Sequence, residues 1–96
     1  MKRDNDQSLK QVITQMLKAY GLQDKLHETE IINAWRTQFG KVVNNHTTDL
    51  YIKGKTLFAH IDSPSLRQEL FYNRTKMVEV LNNEVGHEVI VEIILK

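Results

Sequence analysis

The first half of the chain repeats apolar residues at intervals of three and four, the period of a helix with one buried face. The first run begins after Ser8 and stops at Gly21, so it predicts a helix capped by Ser8 and ended by that glycine. A link over residues 22–27 leads to a second helix, in which Gly40 is a weak point or bend. Neither helix is apolar all round, so we expect both to pack on other parts of the protein. The apolar positions of the two helices are Leu9, Val12, Ile13, Met16, Leu17, Tyr20, Ile31, Ile32, Trp35, Phe39, Val42 and Val43.

The pattern then changes to an alternation of apolar and polar residues with a period of two. Residues 48–53 and 56–62 both alternate in this way, and they predict two strands. Between them, Gly54 supplies the residue that a tight hairpin turn favours. We therefore expect an antiparallel pair with one buried face, formed by Leu50, Ile52, Leu57, Ala59 and Ile61.

A third helix and a last strand complete the predicted fold. Ser63 and Pro64 are typical of a helix start, and Gly86 closes a helix over residues 63–86. Residues 89–95 are rich in β-branched side chains and predict a strand. The order helix-helix-strand-strand-helix-strand predicts an α+β fold, a three-stranded sheet with helices packed on one face. This arrangement is similar to K-homology modules, but without the Gly-x-x-Gly loop that those modules use to bind nucleic acid.

Composition limits where and how the protein acts. Residues 1–7 contain no apolar residue after Met1 and predict a disordered tail, so we expect a single domain over residues 8–96. The chain has no cysteine, which excludes disulfides and thiolate chemistry. No segment has the length and apolar character of a membrane span or signal peptide, and we expect a cytoplasmic protein. The formal charge of +1 is close to neutral, so any binding of nucleic acid must come from a local cluster of basic residues.

The sequence offers little for catalysis. The serines Ser8, Ser63 and Ser65 stand at predicted helix starts, where capping explains them. The four histidines form no i, i+4 pair, and no glycine-rich phosphate loop occurs, so we expect neither a metal site nor a cofactor. We therefore expect a protein that is not an enzyme. A pocket that joined His60, Asp62 and Ser63 would revive the enzymatic interpretation.

The aromatic residues separate into core and surface candidates. Trp35 lies on the apolar side of the second helix, and we expect it in the core. Tyr51 and Phe58 alternate with the apolar strand residues, so they point to the opposite face of the sheet. There they could stack on unpaired bases or cover a sheet edge, and the alternative is that they pack beneath the first helix.

Several short segments occur in the order typical of one bacterial family. WRTQFG from Trp35 and NHT from Asn45 precede the strand residues LYI and LFAHI, and SPSLRQEL from Ser63 and LNN from Leu81 follow them. Over residues 20–95 this order and spacing resemble the DciA-type domain, a family tied to loading of the replicative helicase. The resemblance implies an accessory protein of DNA replication that contacts the helicase and nucleic acid. Longer members add a zinc ribbon, for which this sequence has no cysteine.

Five basic residues and two aromatic residues are the candidates for binding single-stranded DNA. The basic residues would neutralise phosphates and the aromatic rings would stack on bases, with RNA as an alternative ligand. A competing interpretation is that the aliphatic stems of the arginines cover the core while their charged groups reach water. The candidates are Lys53, Lys55, Arg67, Arg74, Lys76, Tyr51 and Phe58.

A second hypothesis assigns the chain to another class, a protein-interaction module without a nucleic-acid ligand. Its basis is the near-neutral charge together with the predicted last strand over residues 89–95. If that strand forms an edge of the sheet, its free backbone groups can pair with another chain, including a second copy in a homodimer.

Overall fold

The computed structural model describes the backbone of residues 2–96 and the side chains of residues 8–96. Five helices and three strands follow one another in these residues. They are α1 (Lys2–Ala19), α2 (Gln23–Gln38), α3 (Gly40–His46), β1 (Thr47–Lys53), β2 (Thr56–Ile61), α4 (Pro64–Tyr72), α5 (Arg74–Val85) and β3 (Glu92–Leu95). The α+β class and the predicted order of helices and strands are confirmed. The side chains of residues 1–7 lie outside the described part of the protein. The disordered tail predicted there stays a prediction.

The three strands form one mixed sheet in the order β1-β2-β3. β1 and β2 are antiparallel, with Leu50 opposite Ala59 and Ile52 opposite Leu57, as the hairpin pattern predicts. β3 runs parallel to β2 and places Ile93 beside Leu57. The side chains on this face are buried or half-buried against the helices, whereas the alternate positions are more exposed. The prediction of helices on one face of the sheet is therefore confirmed. The likeness to K-homology modules stays a prediction.

Two predicted helices are each divided in two. Gly40 has a φ of +88°, a left-handed conformation that glycine adopts without steric cost, and the chain turns there from α2 into α3. The helix predicted over residues 63–86 is interrupted at Asn73, whose side-chain amide donates to the Glu69 carbonyl at 2.9 Å. The Asn73 carbonyl then accepts from the Met77 N–H at 3.0 Å, which begins α5. Ser63 caps α4 as predicted, since its hydroxyl accepts from the Leu66 N–H.

The core lies between the sheet and the helices α2 and α5. Trp35 is 0% exposed, and its indole N–H donates to the Thr47 hydroxyl at 3.1 Å, so its predicted place in the core is confirmed. The other buried apolar residues are Ile31, Ala34, Val43, Leu57, Ala59, Ile61, Leu70, Met77, Leu81, Ile90 and Ile93.

The first helix departs from the prediction in two ways. α1 begins at Lys2, so Ser8 lies inside the helix and does not cap it. Its apolar side chains were expected to pack on the protein, yet five of them are 48–73% exposed. The radius of gyration of 15.2 Å also exceeds the roughly 12.5 Å of a compact chain of this length. The reason is that α2 and α5 already cover the buried face of the sheet, so that α1 packs chiefly on α2.

Candidate nucleic-acid interface

The face of the sheet that points away from the helices carries a row of aromatic rings. Tyr51 in β1 lies opposite Phe58 in β2, and Phe58 lies beside Ile94 in β3. The rings of Tyr51 and Phe58 are stacked, with centroids 5.0 Å apart and an angle of 13° between their planes. The His60 ring is 6.1 Å from that of Tyr51. These three rings, Tyr51, Phe58 and His60, form what we call the aromatic platform.

The aromatic platform is accessible. Tyr51 is 38% exposed, while Phe58 and His60 are half-buried. Of the two alternatives, packing beneath the first helix finds no support here, since the main contacts of α1 are with α2. Aromatic rings on an uncovered sheet face offer flat apolar surface on which bases can stack.

Two lysines border the aromatic platform at opposite ends. Lys53 at the end of β1 is exposed on the same face, since it pairs with Thr56 in the register that places Tyr51 opposite Phe58. At the other end, Lys96 continues the ladder beside β2, and its Nζ lies 5.4 Å from the centre of the Phe58 ring. Within the described side chains the sole contact under 4.0 Å between a basic side chain and a carboxylate joins His46 and Asp62, so neither lysine is held by a carboxylate.

The structure does not gather the five predicted basic residues into one patch. Lys55 lies at the hairpin turn, where it lines a cavity together with Asp24, Glu28 and Glu88. Those three carboxylates give the local surface an acidic character. Lys76 is exposed on α5, in the helical layer.

The two arginines of the set are engaged with the protein itself. Arg67 is half-buried, and its guanidinium donates to the Ile61 carbonyl at 2.7 Å. The Arg74 guanidinium donates to the Phe71 carbonyl at 2.7 Å and lies 3.8 Å above the centre of the Phe71 ring. The first contact joins α4 to the end of β2, and the second lies at the end of α4. The nucleic-acid role of these arginines stays a prediction.

Two members of the face were absent from the predicted set. His60 follows Phe58 by two residues, so the same alternation that selected Tyr51 and Phe58 could have included it. Lys96 could not be found in this way. Its place beside the aromatic platform depends on the parallel pairing of β3 with β2, a contact between residues distant in sequence.

The residues that would support catalysis have separate partners. Asp62 pairs with Nδ1 of His46 at 2.6 Å rather than with His60, which lies on the aromatic platform. The Ser63 hydroxyl caps α4 and contacts Ser65 at 3.3 Å. In the part of the chain that the structure describes, no three histidine or acidic side chains are arranged to hold a metal ion. Within residues 2–96 no helix combines the length and apolar character that a membrane crossing requires.

The fold is a small α+β domain whose sheet has an open aromatic surface with Lys53 and Lys96 at its two ends. The family model described as Dna[CI] antecedent, DciA, matches residues 8–95, and the chain therefore belongs to the DciA family. That family has a helicase-loader-related role in replication and is not a family of catalysts. No curated protein matches the chain in a sequence search.

Proposed function

We propose that this protein is a replication accessory factor that binds single-stranded DNA through the outer face of its sheet. The observation that carries the proposal is the stacked pair of Tyr51 and Phe58 on a face that no described helix covers. Stacking on aromatic rings requires no particular base, which suits a protein that acts wherever the helicase is loaded. In a single strand the bases can stack on the aromatic platform while the phosphates remain at its borders. Phosphates at the two ends of the platform can then contact Lys53 and Lys96.

The strength of such binding follows from the small number of charges. Two lysines border the aromatic platform, and the chain as a whole carries a formal charge of +1. Each phosphate contact to a single strand contributes a slope of about −0.7 to the plot of log affinity against log salt concentration. We therefore expect weak binding with a shallow salt dependence, governed by stacking as much as by charge.

Replacing Tyr51 with alanine is expected to weaken binding of oligothymidine by roughly 5- to 150-fold. The physical reason is that one base loses its stacking surface, a loss of about 1–3 kcal/mol. Fluorescence anisotropy of a labelled oligonucleotide at two ionic strengths measures this change.

Tyr72 provides the matched control for that experiment. It is an exposed tyrosine as well, at 73%, but lies at the end of α4 in the helical layer. Tyr72→Ala should leave the affinity within twofold of the original protein. Lys53→Ala should lower the salt slope by about 0.7, while Lys76→Ala should not change it. Equal losses for Tyr51→Ala and Tyr72→Ala would contradict the proposed face, and a matched RNA oligonucleotide that binds more tightly would identify RNA as the ligand.

The same protein is proposed to contact the replicative helicase. Support for this part comes from membership of the DciA family, whose role is related to helicase loading. Mixing the full chain with the purified replicative helicase should shift both to a common elution volume in gel filtration. Tyr51→Ala should co-elute as the original protein does, since we assign that residue to DNA. Separate elution of the two proteins would contradict helicase contact and would leave the DNA measurement unaffected.

A second candidate function is interaction with another protein through an edge of the sheet. The observation that favours it is the strand order, which places β3 at one edge and β1 at the other. An edge strand presents unpaired backbone groups that can extend the sheet into a partner. Absence of any anisotropy change at low salt, together with capture of a protein partner, would favour this function over DNA binding.

A further inference from the structure

The apolar stripe of α1 is the largest surface that the proposed function leaves unused. Five side chains along one side of the helix are between 48% and 73% exposed, although apolar residues at helical spacing normally pack. The helix ends in a glycine cap, in which Gly21 has a φ of +72° and the Leu22 N–H donates to the Leu17 carbonyl. This cap directs the chain into α2 and leaves α1 projecting. The α1 stripe consists of Leu9, Val12, Ile13, Met16 and Tyr20, with the half-buried Leu17 at its side.

The spacing of these residues is symmetric about the midpoint between Thr14 and Gln15. Suppose that a second α1 packs antiparallel on the first, with the two midpoints opposite each other. Each residue then lies opposite the partner residue for which the two residue numbers sum to 29. Leu9 then meets Tyr20 of the partner subunit, Val12 meets Leu17 of the partner subunit, and Ile13 meets Met16 of the partner subunit. Every apolar residue of the stripe gains an apolar partner, which is the self-complementarity that a two-fold interface requires.

The charges of α1 favour the same orientation. Among residues 8–22 the charged side chains are Lys10 and Lys18, and there is no aspartate or glutamate. Parallel pairing in register would place Lys10, which borders the stripe, beside its own copy, without a carboxylate among residues 8–22 to compensate for the repulsion. In the antiparallel pair Lys10 lies across from Ala19 and Lys18 across from Gln11, so like charges are separated.

We propose that the α1 stripe is the interface of a homodimer, in which two copies of α1 pair antiparallel. Six apolar side chains from each chain would bury on the order of 1,000 Å² in total, about the lower limit for a specific interface. An acidic partner would gain little electrostatic attraction, since Lys10 is the one charged residue that borders the stripe among residues 8–22. A membrane-surface helix normally carries several basic residues along its polar face, and the described part of α1 carries two.

Analytical ultracentrifugation of the full chain over a concentration series tests the dimer. The original protein should approach twice the 11.2 kDa mass of the chain at high micromolar concentration. Ile13→Glu and Met16→Glu should each weaken dimerisation more than tenfold, because they would bury an uncompensated charge. Gln11→Glu and Gln15→Glu add the same charge on the polar side and should retain the dimer. Circular dichroism confirms that each variant keeps its helices.

Cross-linking tests the orientation, since the chain contains no cysteine of its own. Met16→Cys lies on the α1 stripe close to the symmetry axis, about 4.5 Å from its own copy along the helix axis, so a short bis-maleimide should join two copies. Leu9→Cys, on the same stripe, should not react, because the two Leu9 positions would be separated by about 16 Å along an antiparallel pair. Cross-linking of both variants would instead indicate a parallel pair and overturn the proposed geometry.

Three other outcomes would overturn the dimer. The first is a monomer at every concentration, and the second is an Ile13→Glu variant that dimerises as well as the original, which would assign the interface to a sheet edge. The third is a monomer that sediments with vesicles of phosphatidylserine and phosphatidylcholine in an Ile13-dependent manner, which would assign the stripe to a membrane. None of these results bears on DNA binding, because the Tyr51 measurements concern a different face.

Discussion

Replacing Trp35 with alanine should destabilise the fold by about 3–5 kcal/mol, the largest effect expected of any single substitution in this chain. The side chain is 0% exposed, and it packs edge-on against Phe39 with ring centroids 5.3 Å apart. Its removal leaves a cavity beside α3 and takes the hydrogen-bond donor from Thr47. A domain of this size has a total stability on the order of 5–14 kcal/mol. Urea denaturation followed by circular dichroism should therefore show a much lower midpoint or an unfolded chain.

Trp35→Phe separates the packing contribution from the hydrogen bond. Phenylalanine fills most of the space but cannot donate to the Thr47 hydroxyl, which still donates to the Val43 carbonyl at 2.6 Å. We expect a loss of about 1–2 kcal/mol, intermediate between the original protein and Trp35→Ala. A denaturation midpoint for Trp35→Ala within error of the original would contradict the assignment of this residue to the core.

Replacing Asn82 with alanine should destabilise the protein by about 2–3 kcal/mol and lower its melting temperature by roughly 10–20 °C. The Asn82 side chain connects α5 to the segment that enters β3. Its oxygen accepts from the N–H groups of Val89 and Ile90 at 3.0 and 3.2 Å, and its amide donates to the Ile90 carbonyl at 2.8 Å. Loss of these three bonds leaves backbone groups of the half-buried entry segment without partners.

Asn83 is the matched control for that substitution. It is the neighbouring asparagine in the same helix, but it is exposed and forms no side-chain hydrogen bond among the described residues. Asn83→Ala should change the melting temperature, measured by differential scanning fluorimetry, by only a few degrees. Similar losses for the two variants would mean that helix propensity, not the link to β3, explains the effect of Asn82→Ala.

The role of Asn82 gives a physical reason for one segment of the family likeness. LNN from Leu81 is among the segments of the DciA resemblance, and the sequence predicts that Gly86 closes the helix. In the structure Leu81 is fully buried, Asn82 binds the entry to β3, and Gly86 has a φ of +85° at the end of α5. The segment therefore fixes where the last strand enters the sheet. No sequence pattern showed that an asparagine on a helix would bind backbone groups that follow that helix.

The position of β3 shows why its start was mispredicted. β-branched residues from Val89 onward predict a strand, but the ladder begins at Glu92. The N–H groups of Val89 and Ile90 are bound by Asn82, and the Val91 N–H donates to the Lys55 carbonyl at 2.8 Å. These contacts join different elements of the fold, so they cannot be predicted from local strand propensity.

Only part of the candidate site was predicted, because some of its residues are brought together by contacts between distant parts of the chain. Alternation along a strand has a period of two whatever its neighbours are, so it placed Tyr51 and Phe58 on one face without knowledge of the fold. The arginines were grouped with them because they follow nearby in sequence. Folding instead directs Arg67 to the Ile61 carbonyl and Arg74 to Phe71, while β3 brings Lys96 to the aromatic platform.

By itself the sequence determined the features that depend on neighbours along the chain. These are the order of helices and strands, the hairpin, the Ser63 cap, the buried side of Trp35 and the family to which the chain belongs. Tertiary structure decided which elements meet. It set the parallel register of β3, and it left α1 outside the core, because the space on the sheet is limited and α2 and α5 fill it. An apolar stripe in the sequence predicts that one face of a helix is buried. Only the tertiary structure shows whether the core has room to bury that face.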